Sequence, residues 1–280
     1  MTQLLKSLNA SFNEVKTAST ASGGTALSTT ATLISLPLGT EWVSLTPRNF
    51  ATAVVAKVAI NPWLSIVYTT DDLVSEGTDI SKEAQDGDGT DITIPAFTTG
   101  SGDYIYVGAE LPFRGVAVDL GTAVNNNNQA LTCEYWNGSA WVALSETDGT
   151  DSTGTFAVDG NVTWTVPSVW AKSTLRNNAA VTAEAGTFNS FSNKSAYIAN
   201  LYWTRWSVDG LIDTFAIDQM RALNRSTSYL ELTSGQAFEF TTVAPVGEVS
   251  SIGCIEALTD AGTANLIVSV AANNKSNGFV

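Results

Sequence analysis

The chain has 280 residues, 44% of them hydrophobic, a formal net charge of −14 and no histidine. That length suffices to bury a core as one large or two modest domains, and no apolar run approaches the ~18–20 residues of a membrane helix. The lack of histidine removes the usual general base, the commonest zinc ligand and every Ser-His or Cys-His nucleophile pair.

At the start of the chain, Leu4, Leu8, Phe12 and Val15 fall on one helical face, with Thr2 placed as an N-cap. A helix this short needs a surface to lie on. Residues 17–32 are small and polar and read as a flexible linker. Residues 1–30 are therefore expected to form an N-terminal arm and linker, either a docking arm or a terminus without a role. Residues 1–6 do not combine a basic segment with an apolar one, so no signal peptide is expected.

Strand signals begin at Leu33–Leu36 and continue through Trp42–Leu45, Thr52–Ile60 and Trp63–Tyr68, with Pro37, Pro47 and Asn61-Pro62 read as turns between them. From Thr69 to Gly102 the pattern fades into Asp, Gly and Thr, which predicts an exposed acidic loop with one strand inside it. Strands resume at Asp103–Gly108 and Phe113–Leu120, the latter with a slip at Gly115 that suggests a bulge. Leu131, Cys133 and Tyr135 alternate up to Asn137-Gly138, a dipeptide that favours a tight primed hairpin turn, and Trp141–Leu144 follows. Val162, Trp164 and Val166 alternate until Pro167. Residues 201–206 read as one long strand after a polar loop from Leu175 to Ser195. Phe215–Leu223 fits a helical turn or a strand equally. Tyr229–Leu232, Phe238–Phe240, Ile252–Leu258 and Asn265–Val270 form a second set of short strands.

These elements predict an all-β chain: an antiparallel β-sandwich over about residues 100–225, inserted in or following a second small β domain. That base domain is expected to be built from the flanks, 31–99 with 226–280, because short strands at either end lack partners to cover their apolar faces. Charge is uneven along the chain. Asp71 to Asp159 holds sixteen acidic residues and two basic ones, while the remainder is neutral. An acidic surface of this kind repels nucleic acid, so the middle of the chain is expected to face solvent and the neutral ends to make contacts.

Little chemistry is legible. No phosphate-binding glycine loop occurs at a strand-to-helix junction, and the many carboxylates are explained by surface turns better than by a glycosidase pair. Asp86, Asp88, Thr90 and Asp91 offer alternating oxygens for calcium, echoed at Asp148-Gly-Thr150-Asp151. The first loop lacks a glycine at the sixth position, a bidentate Glu at the twelfth and flanking helices, so an acidic turn without metal is expected. Cys133 and Cys254 both lie in apolar, strand-like surroundings; two buried thiols are expected, with a disulfide as the alternative. Six of the eight Trp lie between Trp136 and Trp206. Alternation places Trp164 and Trp203 inside their strands. Trp203 and Trp206 point to opposite faces, so at least one of them is expected near a surface or an interface. Exposed Trp136, Trp141, Trp203 or Trp206 would instead stack on sugar rings. Arg205 shares a face with Trp203 and needs a carboxylate partner that the sequence does not identify.

Residues 104–108, 113–116, 135–141, 148–150, 160–164, Pro167 with Trp170, and 202–206 together resemble β-sandwich modules in virion structural proteins of tailed bacteriophages. The resemblance covers about residues 100–225 and brings no catalytic residues or cofactor. It implies a non-enzymatic virion component, assembled in the host bacterial cytoplasm, and points to a capsid decoration (cement) protein. The implied partners are the major capsid protein and two further copies in a homotrimer, with neither nucleic acid nor membrane. Leu4, Leu8, Phe12, Trp42 and Trp63 are the interface residues this expectation selects. A tail or baseplate component and a host-glycan-binding virion protein are the alternatives.

Overall fold

The computed structural model describes residues 23–36, 40–53, 55–69, 78–85, 92–98, 103–175, 199–224, 228–241 and 252–272. The protein is all-β, its named strands pair antiparallel, and no α-helix occurs among the described residues. The chain divides into two compact units, one made of residues 1–63 with 227–280 and the other of residues 64–226. The inserted unit thus begins at Leu64, earlier than the boundary near residue 100 expected from the sequence.

The unit built from the two ends holds two four-stranded sheets. In one, β1 (Thr25–Leu27), β20 (Thr263–Ala272), β3 (Thr40–Ala51) and β18 (Phe238–Thr241) lie in that order. In the other the order is β17 (Leu230–Leu232), β4 (Ala56–Pro62), β19 (Ile252–Thr259) and β2 (Thr32–Ser35). Alternate residues of both sheets, among them Val43, Leu45, Val58, Ile255, Leu266 and Val268, meet in one buried core. β1 lies inside the stretch read as linker: Thr25–Leu27 pairs with Leu266–Ala264 and Leu27 is buried. Pro47, read as a turn, sits within β3 instead. β18 reaches only as far as Leu45, so among the described residues Pro47 has no strand beside it on that side, where a residue without N–H is tolerated.

The inserted unit is a larger sandwich. One sheet has the order β11 (Trp141–Ala143), β10 (Leu131–Trp136), β15 (Leu201–Val208), β8 (Tyr104–Ala109), β5 (Leu64–Thr69) and β6 (Thr78–Asp79), with β14 (Lys172–Ser173) also paired to β15. The other runs β12 (Thr147–Asp148), β13 (Gly160–Thr163), β9 (Gly115–Leu120), β16 (Phe215–Ala222) and β7 (Ile92–Ile94). Their facing residues form the largest core, centred on Phe113, Phe156, Trp164, Trp206, Phe215 and Met220. Phe156 carries a φ of 56°, a left-handed conformation unfavourable for a bulky residue. Three contacts hold it there: its ring stacks on Phe215 at 4.5 Å, its N–H donates to Thr150 Oγ1 and its carbonyl accepts from Asn125 N–H.

Three local readings change. Of the segment 215–223, Phe215–Ala222 is a strand whose alternation is broken by a register shift between Ile217 and Gln219, so the bulge lies in β16 and not at Gly115. Gly115 is needed for another reason: a Cβ there would collide with the Val162 carbonyl of the neighbouring strand. Asn137-Gly138 does not form a two-residue turn. Trp136 pairs with Trp141 across a four-residue loop, and Asn137 Oδ1 accepts from Ser139 N–H, Ser139 Oγ and Ala140 N–H. The side chain imitates a backbone turn, and only Gly138 takes a positive φ. Within the stretch read as an acidic loop, Ile80, Ala84 and Gln85 are buried, and Gln85 clamps both the N–H and the carbonyl of Leu64.

Candidate functional site

Along β8, β10 and β15 one set of alternate residues, including Ile105, Val107, Leu131, Cys133, Tyr135, Trp206 and Val208, enters the main core. The intervening set faces the other way and carries the polar and aromatic chemistry. Register places Glu134 opposite Arg205 and Thr132 opposite Ser207, with Arg205 also opposite Tyr106 on β8. Arg205 Nε and Nη2 both donate to Glu134 Oε2, at 2.9 and 2.6 Å. The guanidinium also lies over the ring of Tyr104 at 4.5 Å and over that of Trp141 at 5.0 Å. A planar, weakly hydrated cation is suited to this sandwich, which an ammonium would not fill. Glu134 is therefore the carboxylate partner that Arg205 requires.

Farther along this face Trp203 is wholly buried beneath a small second cluster of Val67, Tyr106 and Leu175, edged by Trp141 and Leu201. Its Nε1 donates to the Ser173 carbonyl at 2.9 Å, and Trp170 Nε1 donates to the Trp203 carbonyl at 3.1 Å. Trp206, on the opposite face, is equally buried. The expectation that at least one of the pair lies near a surface or an interface is overturned, because the segment around Ser173–Leu175 covers the outside of the sheet at Trp203. Trp136, Trp164 and Trp170 are buried as well, and of the inserted unit's Trp only Trp141 is partly exposed. Stacking of a sugar on Trp136, Trp203 or Trp206 is thereby ruled out for the folded unit, and the Trp cluster is core.

Of the residues selected as an interface, Leu4, Leu8 and Phe12 lie outside the described residues. Trp42 is half-buried on β3, and Trp63, at 6% exposure, leaves little of its ring for a partner. The calcium candidates Asp86, Asp88, Thr90 and Asp91 also lie outside the described residues. At the echo of that motif Asp148 Oδ1 accepts from the N–H and the hydroxyl of Thr150, which is an Asx turn. No group of three or more His, Cys, Asp or Glu is placed to hold a metal ion among the described residues.

Other charged groups are engaged in joining strands. Asp119 pairs with Arg221 across β9 and β16; burial raises its carboxyl above the usual range, Arg221 opposes that, and Asp159 and Asp218 add to it. The fully buried Glu256 accepts from Asn61 Nδ2 and from the Tyr229 hydroxyl. Both cysteines are free thiols and buried, as the first of the two sequence readings has it. Burial pushes the Cys133 thiol well above its ordinary range, and Glu146, Asp148 and Glu134 reinforce the shift. A thiolate is the reactive form, so native protein is expected not to react with a disulfide reagent at pH 8, whereas both thiols should react in denaturant. Rapid native modification of Cys133, read by mass spectrometry, would contradict this burial.

The Arg205–Glu134 pair is the part of the site that sequence reasoning could not complete. Both strands were legible, yet only the register between them names the partner. Comparison with protein-family models, with curated proteins and with solved structures finds no match to the chain.

Proposed function

We propose that the chain is a non-enzymatic structural component of a tailed-bacteriophage virion, a capsid decoration protein that binds the outer shell. The observation that carries this reading is the partition of charge between the two units. The inserted unit holds twenty acidic side chains against eight basic ones, a balance of −12, while the unit made from the chain ends holds seven against five, a balance of −2. A nearly neutral sandwich suits a contact surface, and a strongly acidic one suits exposure to solvent at high local concentration. The resemblance of residues 100–225 to virion β-sandwich modules points the same way. Binding would act by burying surface across neighbouring shell subunits, with no reaction.

Immunogold labelling of intact particles, using antibody raised against this chain, tests the proposal. Label distributed over the head is the expected result. Label confined to the tail would replace decoration by a tail or baseplate role, and unlabelled particles would refute the virion assignment.

A further inference from the structure

A depression of about 460 Å³ lies on the outward face of β8, β15 and β10, lined by Tyr104, Thr132, Glu134, Arg205, Ser207 and Asp209 together with Val208. Its volume falls in the range of small-molecule sites. We infer that this groove binds a neutral saccharide, with Arg205, Glu134 and Thr132 as the recognising groups.

The argument starts from the fixed geometry of Arg205. Its side chain is 15% exposed, held between two aromatic rings and anchored by Nε and Nη2 to a single oxygen of Glu134. That arrangement uses one edge of the guanidinium and leaves the Nη1 donors without an acceptor among the described residues. Glu134 Oε1 is likewise unused there, and so is the hydroxyl of exposed Thr132. Asp209 Oδ1 accepts from Ala130 N–H, which leaves its second oxygen for a ligand. Donors and acceptors thus both line the groove, whose wall includes Tyr104. Vicinal hydroxyls offer the complementary acceptors and donors.

Charge discriminates between ligand classes. Two carboxylates and one guanidinium line the groove, and the unit around it has a balance of −12, so an anionic ligand meets net repulsion. A cation would have to compete with Arg205, which the two rings and Glu134 hold in place. A neutral polyol carries neither penalty. Because the donors are already positioned by the Tyr104–Arg205–Trp141 stack, binding would order few side chains. This differs from the sequence-based expectation of sugar on exposed Trp: the aromatic residues here orient the guanidinium, and polar groups make the contacts.

The test is titration of the intact, 15N-labelled chain with maltohexaose, cellohexaose and N-acetylchitohexaose. Inorganic phosphate and an oligogalacturonate serve as anionic comparators. Saturable movement of the Arg205 Nε–H and Trp141 Nε1–H signals with at least one neutral oligomer, at about millimolar concentration, is the expected result. Thr132→Val should weaken that binding roughly two- to tenfold, the effect of one neutral hydrogen bond. Asp209→Asn, which keeps the bond to Ala130, should alter the preference among oligomers. Neither change removes the ion pair, so the unit should remain folded and its amide spectrum should confirm this. Movement with phosphate or oligogalacturonate alone would overturn the proposal in favour of an anion site. It would also fail if none of the three neutral oligomers moved these signals at 10 mM, or if binding were unchanged in Thr132→Val. The test needs no particle, so its outcome is independent of where antibody label falls on a virion.

Discussion

Trp206→Ala is expected to lower the stability of the inserted unit by about 3–5 kcal/mol, the usual cost of truncating a buried Trp. The residue has no exposed surface. Its ring stacks near-parallel with Phe156 at 6.5 Å and meets Trp164 edge-on at 6.4 Å. Its Nε1 donates to Thr204 Oγ1 at 3.0 Å, while that hydroxyl donates to the Val107 carbonyl, also at 3.0 Å. Truncation thus opens a cavity between the two sheets and removes one of the rings packed beside Phe156, whose left-handed backbone is then held by Phe215, Thr150 and Asn125 alone. For a unit of this size the melting temperature should fall by roughly 6–20 °C. Trp206→Phe should cost less, since it keeps most of the apolar volume and loses the hydrogen bond. The two units have separate cores, so hydrogen exchange should show the loss confined to residues 64–226. A melting shift under about 2 °C in Trp206→Ala would mean that the ring is not packed between the sheets.

The same residue shows what the sequence could and could not reveal. Alternation along 201–206 identified the strand, and it placed Trp203 and Trp206 on opposite faces. The inference that one face must be near solvent failed because a sheet can be covered on both sides, and the cover at Trp203 comes from residues 173–175, about thirty positions away in the chain. Periodicity reports which face a residue is on; it carries no information about what lies above that face. The flanking strands are legible for the same local reason that Leu131–Tyr135 is, yet β1 is not, because three residues in a Ser/Thr-rich stretch leave no period to detect. Pro47 misled for the opposite reason: its effect depends on whether the neighbouring strand extends past it, which is a tertiary fact.

The polar half of the candidate site was similarly divided. The need of Arg205 for a carboxylate follows from its shared face with Trp203, but the unit has twenty acidic residues. Only the pairing of β10 with β15 selects Glu134. Once that register is known, the aromatic sandwich follows from neighbouring positions on β8 and β11, and the unused donors of Arg205 follow from the geometry of its anchor.

Gly108→Ala should destabilise the inserted unit by about 1–3 kcal/mol through overpacking, an effect that no propensity scale would predict for a strand residue. A Cβ at this position would lie 2.5–2.7 Å from three ring carbons of Trp203, inside any real contact distance. The indole cannot easily retreat: Nε1 is bonded to the Ser173 carbonyl, its backbone carbonyl receives Trp170 Nε1, and Leu175 is buried against the same cluster. Gly108 is therefore the seat of the outer cluster, and the strain should spread to Trp141 and so to the stack that holds Arg205. The decisive form of the experiment is a double-mutant cycle. Trp203→Leu alone removes the ring and is costly, but in that background Gly108→Ala should cost little, giving a coupling of about 1–3 kcal/mol by urea denaturation. Additive effects would show that the ring does not rest on Gly108. The outer face of β8 and β15 would then need a different account, and the fixed position of Arg205 would lose its explanation with it.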